Sequence, residues 1–220
     1  MPSFTTVTRT VRLPDLERIA LYERAPELGP RILFFTGGTA LKALSQKLVE
    51  YTHNSIHVIT PFDSGGSSAV IRKAFQMLAV GDIRNRIMAL ADKSVRGNPD
   101  IFELFAHRLP KEGRQEDLRE TLSSFVNGSH PLIRRVPNPM RQIVRSHLRL
   151  FAHHMPPDFD LRNGCIGNLI LTGGFLGFDR HIDPVVYMFS RLVEARGDVC
   201  AVLNKDLHLV SELEDGTRLI

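Results

Sequence analysis

Two glycine-rich segments near the start of the chain each follow an apolar strand pattern and precede a helical pattern. The first, RILFFTGGTAL, covers 31–41, and the second, IHVITPFDSGGSSAV, covers 56–70. A helix N-terminus presents unpaired backbone N–H groups, and glycine lets a ligand approach the backbone closely. Two such turns on successive parallel strands face one crevice. The pattern therefore predicts a phosphate-containing ligand, which is a nucleotide or a nucleotide-linked metabolite.

The order of the remaining patterns predicts an α/β protein with a mainly parallel sheet. The run at 31–35 has no polar residue in its middle, which is typical of a parallel strand covered on both faces. A second strand is predicted over 55–60, and later strands over 198–203 and 208–213. A turn at 214–217 predicts the start of a partner strand after it. Helices between the strands favour the α/β class.

The middle and the beginning of the chain carry weaker patterns. From 98 to 155 the spacing is helical and more polar, with prolines and glycines between the segments, which predicts a helical insertion within a single domain spanning 1–220. Residues 5–13 alternate as in an edge strand, and 16–22 fit either a short helix or a strand. Asp82 and Asp183 are expected to be N-caps of helices.

Composition excludes several classes of protein. The 220 residues are 43% hydrophobic, which is enough for one core. The sequence has no run of about 18 apolar residues, so no membrane span is expected. The net charge of +4 comes without a basic stripe interleaved with aromatic residues, so nucleic acid is not an expected partner. The beginning does not resemble a secretory signal, and Cys165 and Cys200 have no metal-binding spacing. We expect a reduced, cytoplasmic protein.

The first glycine turn offers four candidate phosphate ligands, Thr36, Gly37, Gly38 and Thr39. The alternative is an ordinary strand-to-helix turn in which glycine relieves backbone strain. The segment lacks the spaced glycines of a dinucleotide fingerprint and the Gly-Lys-Ser/Thr of a P-loop. A standard ATPase is therefore not expected.

The second glycine turn combines an acid, two glycines and two serines. Gly65, Gly66, Ser67 and Ser68 supply N–H and hydroxyl donors for a phosphate, although a serine here can also be a simple helix cap. Asp63 precedes them, and an acid beside a phosphate is unfavourable on its own. It is expected to bind Mg²⁺, to cap the backbone, or to accept from a sugar or base.

Three further polar positions are candidates for ligand contacts. Arg84 can pair with phosphate in a fork, and Asn85 can bind an amide edge of a base or a flavin-like ring. Asn168 is either a helix cap or a ligand contact. His147 and His154 share a helical face but have no acidic or cysteine partner at metal-binding spacing, so both are expected on the surface. No residue is identified as catalytic.

Five motifs, taken together and in order, make the chain similar to a known family. They are TGGT at 36–39, DSGGSS at 63–68 followed by Arg72, GDIRN at 81–85 with ALAD at 89–92, GNL at 167–169, and HLVSELEDG at 208–216. This combination resembles the CofD/YvcK-like family, which includes 2-phospho-lactate transferases and gluconeogenesis factors. The resemblance implies a Rossmann-like fold with a helical insertion. The GGSS stretch is more similar to the YvcK branch.

The resemblance implies two alternative functions. CofD members transfer a phospholactyl group from a guanosine diphosphate-linked donor to a deazaflavin with Mg²⁺, whereas YvcK members are regulators that bind a uridine diphosphate sugar. By resemblance, the two glycine turns, Arg72 and Asp82 bind ligand, Asp63 holds Mg²⁺, and Arg84 and Asn85 orient the donor or acceptor.

The sequence also departs from the family pattern. Ser64 stands where a second aspartate is usual, and Ala40 and Ala69 replace glycines. Members also continue beyond the point where this chain ends, so we expect a partial domain with an exposed apolar edge and a tendency to form homo-oligomers.

Overall fold

A three-stranded parallel sheet organises the fold. The computed structural model describes residues 5–6, 8, 10, 12–37, 40–63, 65–94, 97–208 and 210–219. Strand β1 is Ile32–Thr36, β2 is Ser55–Ile59 and β3 is Asp198–Ala201, in the order β1-β2-β3. Both neighbouring pairs are parallel. The predicted α/β class with a parallel sheet is confirmed.

Helices fill most of the chain between the strands. In the described part of the chain they are α1 Leu16–Arg24, α2 Lys42–Leu48, α3 Gly66–Phe75, α4 Gly81–Leu90, α5 Pro99–Ala106, α6 Gln115–Asn127, α7 Pro131–Arg135, α8 Met140–His154, α9 Ile166–Gly177 and α10 Asp183–Leu192, with a short 3-10 turn at Pro26–Leu28. Helices α5 to α8 occupy the segment in which a helical insertion is predicted. None of the described helices is both long and apolar enough to cross a bilayer.

The end of the described chain forms the predicted hairpin. Strand β4, Ser211–Glu212, pairs antiparallel with β5, Arg218–Leu219. The backbone N–H of Leu213 donates to the carbonyl of Thr217 at 2.9 Å, which closes the turn. The strand predicted over 208–213 is thus shorter than expected, and β3 likewise ends at Ala201 instead of at 203.

The two faces of the sheet differ in burial. On one face, the β2 side chains Ser55, His57 and Ile59 are buried beneath helices. On the other face, Leu33 and Phe35 of β1 are 52% and 75% exposed. The expectation that β1 is covered on both faces is therefore wrong, because no element among the described residues covers this face of β1.

One hydrophobic core joins the helical segment to the sheet. Phe105, Phe125 and Phe151 come from three helices of that segment, and all are fully buried in the core that also contains Ile59 of β2. Helices α5, α6 and α8 therefore pack as part of the same folding unit.

Close packing of α8 against α9 explains another departure from the sequence-based expectation. A Cβ at Gly173 of α9 would lie 1.8 Å from the carbonyl oxygen of His147 in α8, so only glycine allows this approach. His147 is buried, and its ring packs edge-on against Phe178. The expectation of a surface position for His147 is wrong, whereas His154 is exposed.

Both helices that were expected to begin after an aspartate cap begin earlier. Val80 occupies the cap position of α4, and the N–H of Arg84 donates to its carbonyl at 2.9 Å, so Asp82 is the second helical residue. Asp183 is the first residue of α10, and Ile182 occupies the cap position. In each case the backbone becomes helical before the aspartate, so the acid instead interacts with the helix dipole in the first turn.

The beginning of the chain contains no strand in its described part. Residues 5, 6, 8, 10, 12 and 13 are irregular, and the rest of the edge strand predicted over 5–13 lies outside the described residues. The pattern at 16–22, which fits a helix or a strand, belongs to α1. Its Asp15 side chain accepts from the N–H of Arg18 and caps the helix.

His57 is a buried histidine of β2, on the face of the sheet that the helices cover. Its ring stacks on Phe34 with centroids 5.0 Å apart, and its Nε2 lies 3.1 Å from the Ser55 hydroxyl. Burial, together with the smaller effect of the charge of Arg86, lowers the pKa of His57 to about 4. The folded protein therefore holds His57 neutral at mildly acidic pH.

We predict that His57 makes the fold sensitive to acid. The folded pKa lies below the unfolded value of about 6.5, so its contribution to stability is complete above pH 6.5 and is lost as pH falls towards 4. When the pH is lowered from 7.5 to 5, the free energy of unfolding should fall in both proteins. We expect the fall to be about 1–2 kcal/mol smaller in His57→Gln than in the original protein, as measured by denaturant unfolding. His154→Gln is the exposed control. Equal losses in all three proteins would contradict the prediction.

Candidate functional site

Three helices begin around one crevice at the carboxyl end of β2. These are α3, α4 and α9, with 10, 10 and 12 residues. The crevice has a volume of about 500 Å³. Its lining residues are Asp63, Gly65, Gly66, Ser67, Ser68, Gly81, Arg84, Asn85, Arg108, Lys111, Asn163 and Asn168. Because each helix N-terminus carries a partial positive charge, the crevice favours an anionic ligand.

The loop after β2 is shaped by Asp63. Its Oδ1 accepts from the N–H of Gly65 at 2.9 Å, which turns the chain into α3. Gly65 occupies the cap position and Gly66 begins the helix with a φ of +54°. Neither Ser67 nor Ser68 is therefore the cap, which corrects the simpler alternative for this turn. Ser64 lies outside the described residues.

The first turn of α3 is in tight contact with the start of α4. A Cβ at Gly81 would lie 2.2 Å from the Ser68 hydroxyl oxygen and 3.5 Å from Oδ2 of Asp63. Ser68 is buried. Glycine at position 81 thus allows the two helix N-termini to lie side by side.

Arg84 is a buried cation at the edge of the crevice. Its Nη1 donates to the carbonyl of Phe105 and contacts the thiol of Cys165, and its Nη2 donates to Oδ1 of Asn85 at 2.6 Å. The residue is 7% exposed, and its buried Nε has no partner among the described residues. Burial lowers the pKa of the Arg84 guanidinium, and the charge of Arg108 also lowers it. An arginine nevertheless stays protonated at neutral pH.

Asn168 connects the third helix to the first. It is the third residue of α9, and Cys165 occupies the cap position, so the alternative that Asn168 is the cap is wrong. Its Nδ2 donates to the Ser67 hydroxyl at 3.0 Å. The buried Oδ1 has no hydrogen-bond partner among the described residues.

Thr36 and Gly37, the described residues of the first glycine turn, are not in the lining of this crevice. A Cβ at Gly37 would be 2.4 Å from the hydroxyl of Thr60, so the ends of β1 and β2 are in contact. The buried Thr36 hydroxyl accepts from Nη2 of Arg86 at 3.0 Å. Gly38 and Thr39 lie outside the described residues. A ligand contact from this turn stays a prediction.

Arg72 and Asp82 are also absent from the lining. The buried Arg72 guanidinium forms an ion pair with Asp206 at 2.5 Å and donates to the carbonyl of Phe62 at 3.1 Å. These bonds tie the loop after β2 to the segment after β3. Asp82 is half-buried in the first turn of α4. Ligand binding by either residue stays a prediction.

The crevice also contains residues that sequence reasoning missed as contacts. Arg108 and Lys111 come from the loop between α5 and α6, and Asn163 precedes α9. An isolated β-bridge between Arg108 and Cys165 holds this loop against the start of α9, and Arg108 donates to the carbonyl of Asn163 at 3.2 Å. Gly81 was also missed as a lining residue, although it is the first residue of the GDIRN motif, and that motif was the signal that could have indicated its place in the site.

The charges of the lining favour an anion over a bare metal ion. Arg84, Arg108 and Lys111 face a single carboxylate, that of Asp63. The described residues contain no group of three histidine, cysteine or acidic side chains placed to hold a metal. A single carboxylate fits Mg²⁺ when phosphates of a bound ligand supply further oxygens.

Two larger crevices, of about 580 and 670 Å³, lie at the opposite edge of the sheet. Both include Asp92 and Arg196, which form an ion pair at 2.5 Å. Arg196 precedes β3, so these crevices are at the amino ends of the strands. Ligands of open α/β sheets bind at the carboxyl ends, which favours the crevice of the three helices.

A parallel sheet with three helix N-termini at its carboxyl edge defines a Rossmann-like α/β protein with a crevice suited to an anionic ligand. Comparison with known families agrees with this class: the model of 2-phospho-L-lactate transferase CofD matches residues 32–220. The chain therefore belongs to the CofD family, as the sequence motifs predicted.

Individual relatives carry a second name. A putative gluconeogenesis factor of Nostoc sp. is 38% identical over 217 residues, covering 99% of this chain and 36% of the relative. The gluconeogenesis factor of Bacillus subtilis is 37% identical over 193 residues, covering 85% and 43%. A crystal structure of a UPF0052 family member from Bacillus halodurans has a TM-score of 0.58 at 22% identity, covering 87% and 45%. The chain thus spans less than half the length of these relatives, and the solved structure supports the fold alone.

We predict that the contact between Gly81 and Ser68 determines the stability of the crevice. Gly81→Ala forces a Cβ against the buried hydroxyl and should lower the free energy of unfolding by about 1–3 kcal/mol. Gly81→Ala/Ser68→Ala should recover most of this loss, because the Ser68 Cβ lies an ordinary 3.5 Å from the new Cβ. Denaturant unfolding of both single variants and the double variant measures the coupling. Additive losses would contradict the contact.

Proposed function

We propose that this chain binds a nucleoside diphosphate-linked metabolite, with the diphosphate in the crevice of the three helices. The observation that carries the proposal is the meeting of the N-termini of α3, α4 and α9 beside the buried guanidinium of Arg84. Helix N-termini and arginine both bind phosphate oxygens, through backbone N–H groups and through a charged fork.

Different described residues would bind different parts of the ligand. Gly66 and Ser67 line the crevice, nothing lies within 4 Å of a Cβ built on Gly66, and their backbone N–H groups would bind one phosphate. Arg84 and the rim residues Arg108 and Lys111 neutralise the diphosphate. Asn168 holds the Ser67 hydroxyl in place through its amide.

Mg²⁺ is proposed to accompany the ligand and to neutralise charge on its phosphates. Asp63 is the residue that would hold the ion, because its Oδ1 is engaged by Gly65 while Oδ2 accepts no described hydrogen bond. One carboxylate combined with phosphate oxygens is a common arrangement for this ion.

The first candidate activity is the transfer of a group from the nucleoside diphosphate-linked ligand to an acceptor, and its support is that the matching family is described as a 2-phospho-L-lactate transferase. The second candidate is ligand sensing without turnover. Its support is that the similar relatives from Nostoc and Bacillus subtilis are named gluconeogenesis factors. Among the described lining residues there is one carboxylate and no hydrogen-bonded nucleophile–base pair, so a transferase on this site would work mainly by binding and orientation.

We predict saturable binding of guanosine or uridine diphosphate in isothermal titration calorimetry. Lys111→Gln should weaken it about threefold, since this exposed rim cation lines the crevice. Lys205→Gln makes the same change at an exposed position outside the crevice and should bind as the original protein does. A folded sample that binds neither nucleotide nor their conjugates would overturn the proposal.

We predict that Asp63→Asn distinguishes a role of Asp63 in binding Mg²⁺ from its role in shaping the loop. An asparagine keeps an oxygen that can accept from the N–H of Gly65, so the unfolding free energy should change little. If Asp63 holds Mg²⁺, ligand affinity in the presence of Mg²⁺ should fall about tenfold or more, equivalent to about 1.4 kcal/mol. Ligand titrations with and without Mg²⁺ measure the affinity, and denaturant unfolding measures the stability. A variant that loses stability but keeps the metal dependence would show that Asp63 only shapes the loop.

The two candidate activities are separated by turnover. The protein is incubated with Mg²⁺, a guanosine diphosphate-linked lactate donor and a deazaflavin acceptor, and the products are followed by mass spectrometry. A transferred product supports the transferase. Saturable binding without product under the same conditions supports the sensor.

A further inference from the structure

Arg72 of α3 contacts the loop that precedes its own helix. Its side chain is only 5% exposed. Its Nη1 donates to the backbone carbonyl of Phe62 at 3.1 Å and to that of Asp63 at 3.4 Å. Arg72 therefore holds the backbone of the residue whose carboxylate lines the crevice of the three helices.

The same guanidinium also binds the segment that follows β3. Its Nε and Nη2 donate to Oδ1 of Asp206 at 3.1 and 2.5 Å, and Nη2 also donates to the carbonyl of Leu207 at 2.9 Å. Nε2 of His208 lies 3.3 Å from the same Nη2. All three nitrogens of the guanidinium are thus engaged. A ligand phosphate could accept a hydrogen bond from Arg72 only if one of these bonds were broken.

This set of bonds requires an arginine. The planar guanidinium presents its N–H groups in a fixed fork, whereas a lysine ammonium is a point charge that cannot bind the same widely spaced acceptors at once. Asp206 is the carboxylate that pairs with the buried charge of Arg72. Loss of such a partner leaves a buried cation incompletely compensated. One side chain therefore holds the loop after β2 and the segment at 206–208 in a single arrangement.

The loop that Arg72 holds determines where the carboxylate of Asp63 lies. Oδ1 of Asp63 accepts from the N–H of Gly65 at 2.9 Å. Its Oδ2 is on the side of α4, 3.5 Å from a Cβ built on Gly81. A displacement of the Asp63 backbone would move both carboxylate oxygens with it. The bonds of Arg72 to the Phe62 and Asp63 carbonyls oppose that displacement.

We propose that Arg72 is a positioning residue, which fixes the Asp63 carboxylate for Mg²⁺ and acts through Asp63 without contact with the ligand. This inference rests on the proposed function, in which Asp63 holds Mg²⁺. The segment at 206–208 then supports the site, although none of its residues lines the crevice. Weakening the bonds of Arg72 should reduce the part of the ligand affinity that depends on Mg²⁺.

Arg72→Lys tests the proposal in calorimetry of the full chain with guanosine and uridine diphosphate. The affinity in the presence of Mg²⁺ should fall about tenfold, the lower end of the effect of removing a group that orients a metal ligand. The affinity without Mg²⁺ should change by less than about twofold, because the N–H groups proposed to bind phosphate belong to α3 itself.

Arg180→Lys is the matched control at the other end of the same helix. Nη2 of Arg180 donates to the carbonyls of Phe75 and Gln76, at 3.0 and 2.6 Å, where α3 ends. The control therefore makes the same exchange at another arginine that binds backbone carbonyls of α3, away from the crevice. Its Mg²⁺ dependence should equal that of the original protein. Denaturant unfolding measures the stability lost in each variant.

Asp63→Asn/Arg72→Lys separates positioning from contact. If Arg72 acts through Asp63, the double variant should bind in Mg²⁺ as Asp63→Asn does, because the carboxylate that Arg72 positions is no longer present. A further loss of affinity in the double variant, or an equal loss with and without Mg²⁺ in Arg72→Lys, would assign a ligand contact to Arg72 and overturn the proposal. Lower stability with unchanged Mg²⁺ dependence would also overturn it.

Asp206→Ala carries the test if Arg72→Lys does not fold. Asp206 is exposed, so its replacement leaves no cavity in the core. The change removes the carboxylate that pairs with Arg72, and the affinity in Mg²⁺ should fall about threefold. A folded Asp206→Ala variant with the Mg²⁺ dependence of the original protein would contradict the positioning role.

The outcomes also separate this inference from the proposed function. Nucleotide binding that depends on neither Mg²⁺ nor Asp63 overturns the positioning role and leaves diphosphate binding in the crevice standing. The absence of saturable binding by the original protein in a folded sample overturns both.

Discussion

The meeting of three helix N-termini is the constraint on which the rest of the site depends. The positive ends of helix dipoles repel one another when they lie close together, so packing must hold the starts of α3, α4 and α9 around the crevice. The close approach of Gly81 to Ser68 joins α4 to α3, and the bond from Asn168 to Ser67 joins α9 to α3. An anion in the crevice would turn this unfavourable arrangement into a favourable one.

The helical segment between α4 and α9 contributes both to the core and to the crevice, although it is distant in sequence from the glycine turn after β2. Its apolar residues complete the common core, and its loop between α5 and α6 delivers Arg108 and Lys111 to the rim of the crevice. The bridge from Arg108 to Cys165 fixes this loop. The segment thus adds positive charge to the crevice from outside the glycine turns.

Local patterns allowed the correct prediction of the parallel sheet and of a glycine turn that leads from β2 into a helix, because glycines and strand ends act over a few residues. The exposure of Leu33 and Phe35 was not predictable, since an apolar run does not reveal whether another element packs on each face of the strand. Arg108 and Lys111 were missed because only a bridge between residues distant in sequence brings them to the crevice. Asp82 was misplaced because an aspartate favours both the cap and the first helical turn.

A crystal structure of the protein with a bound nucleoside diphosphate tests the central claim most directly. The account predicts diphosphate oxygens within hydrogen-bonding distance of the backbone N–H groups at Gly66 and Ser67 and beside the guanidinium of Arg84. A diphosphate bound instead at the opposite edge of the sheet, beside Asp92 and Arg196, would contradict it.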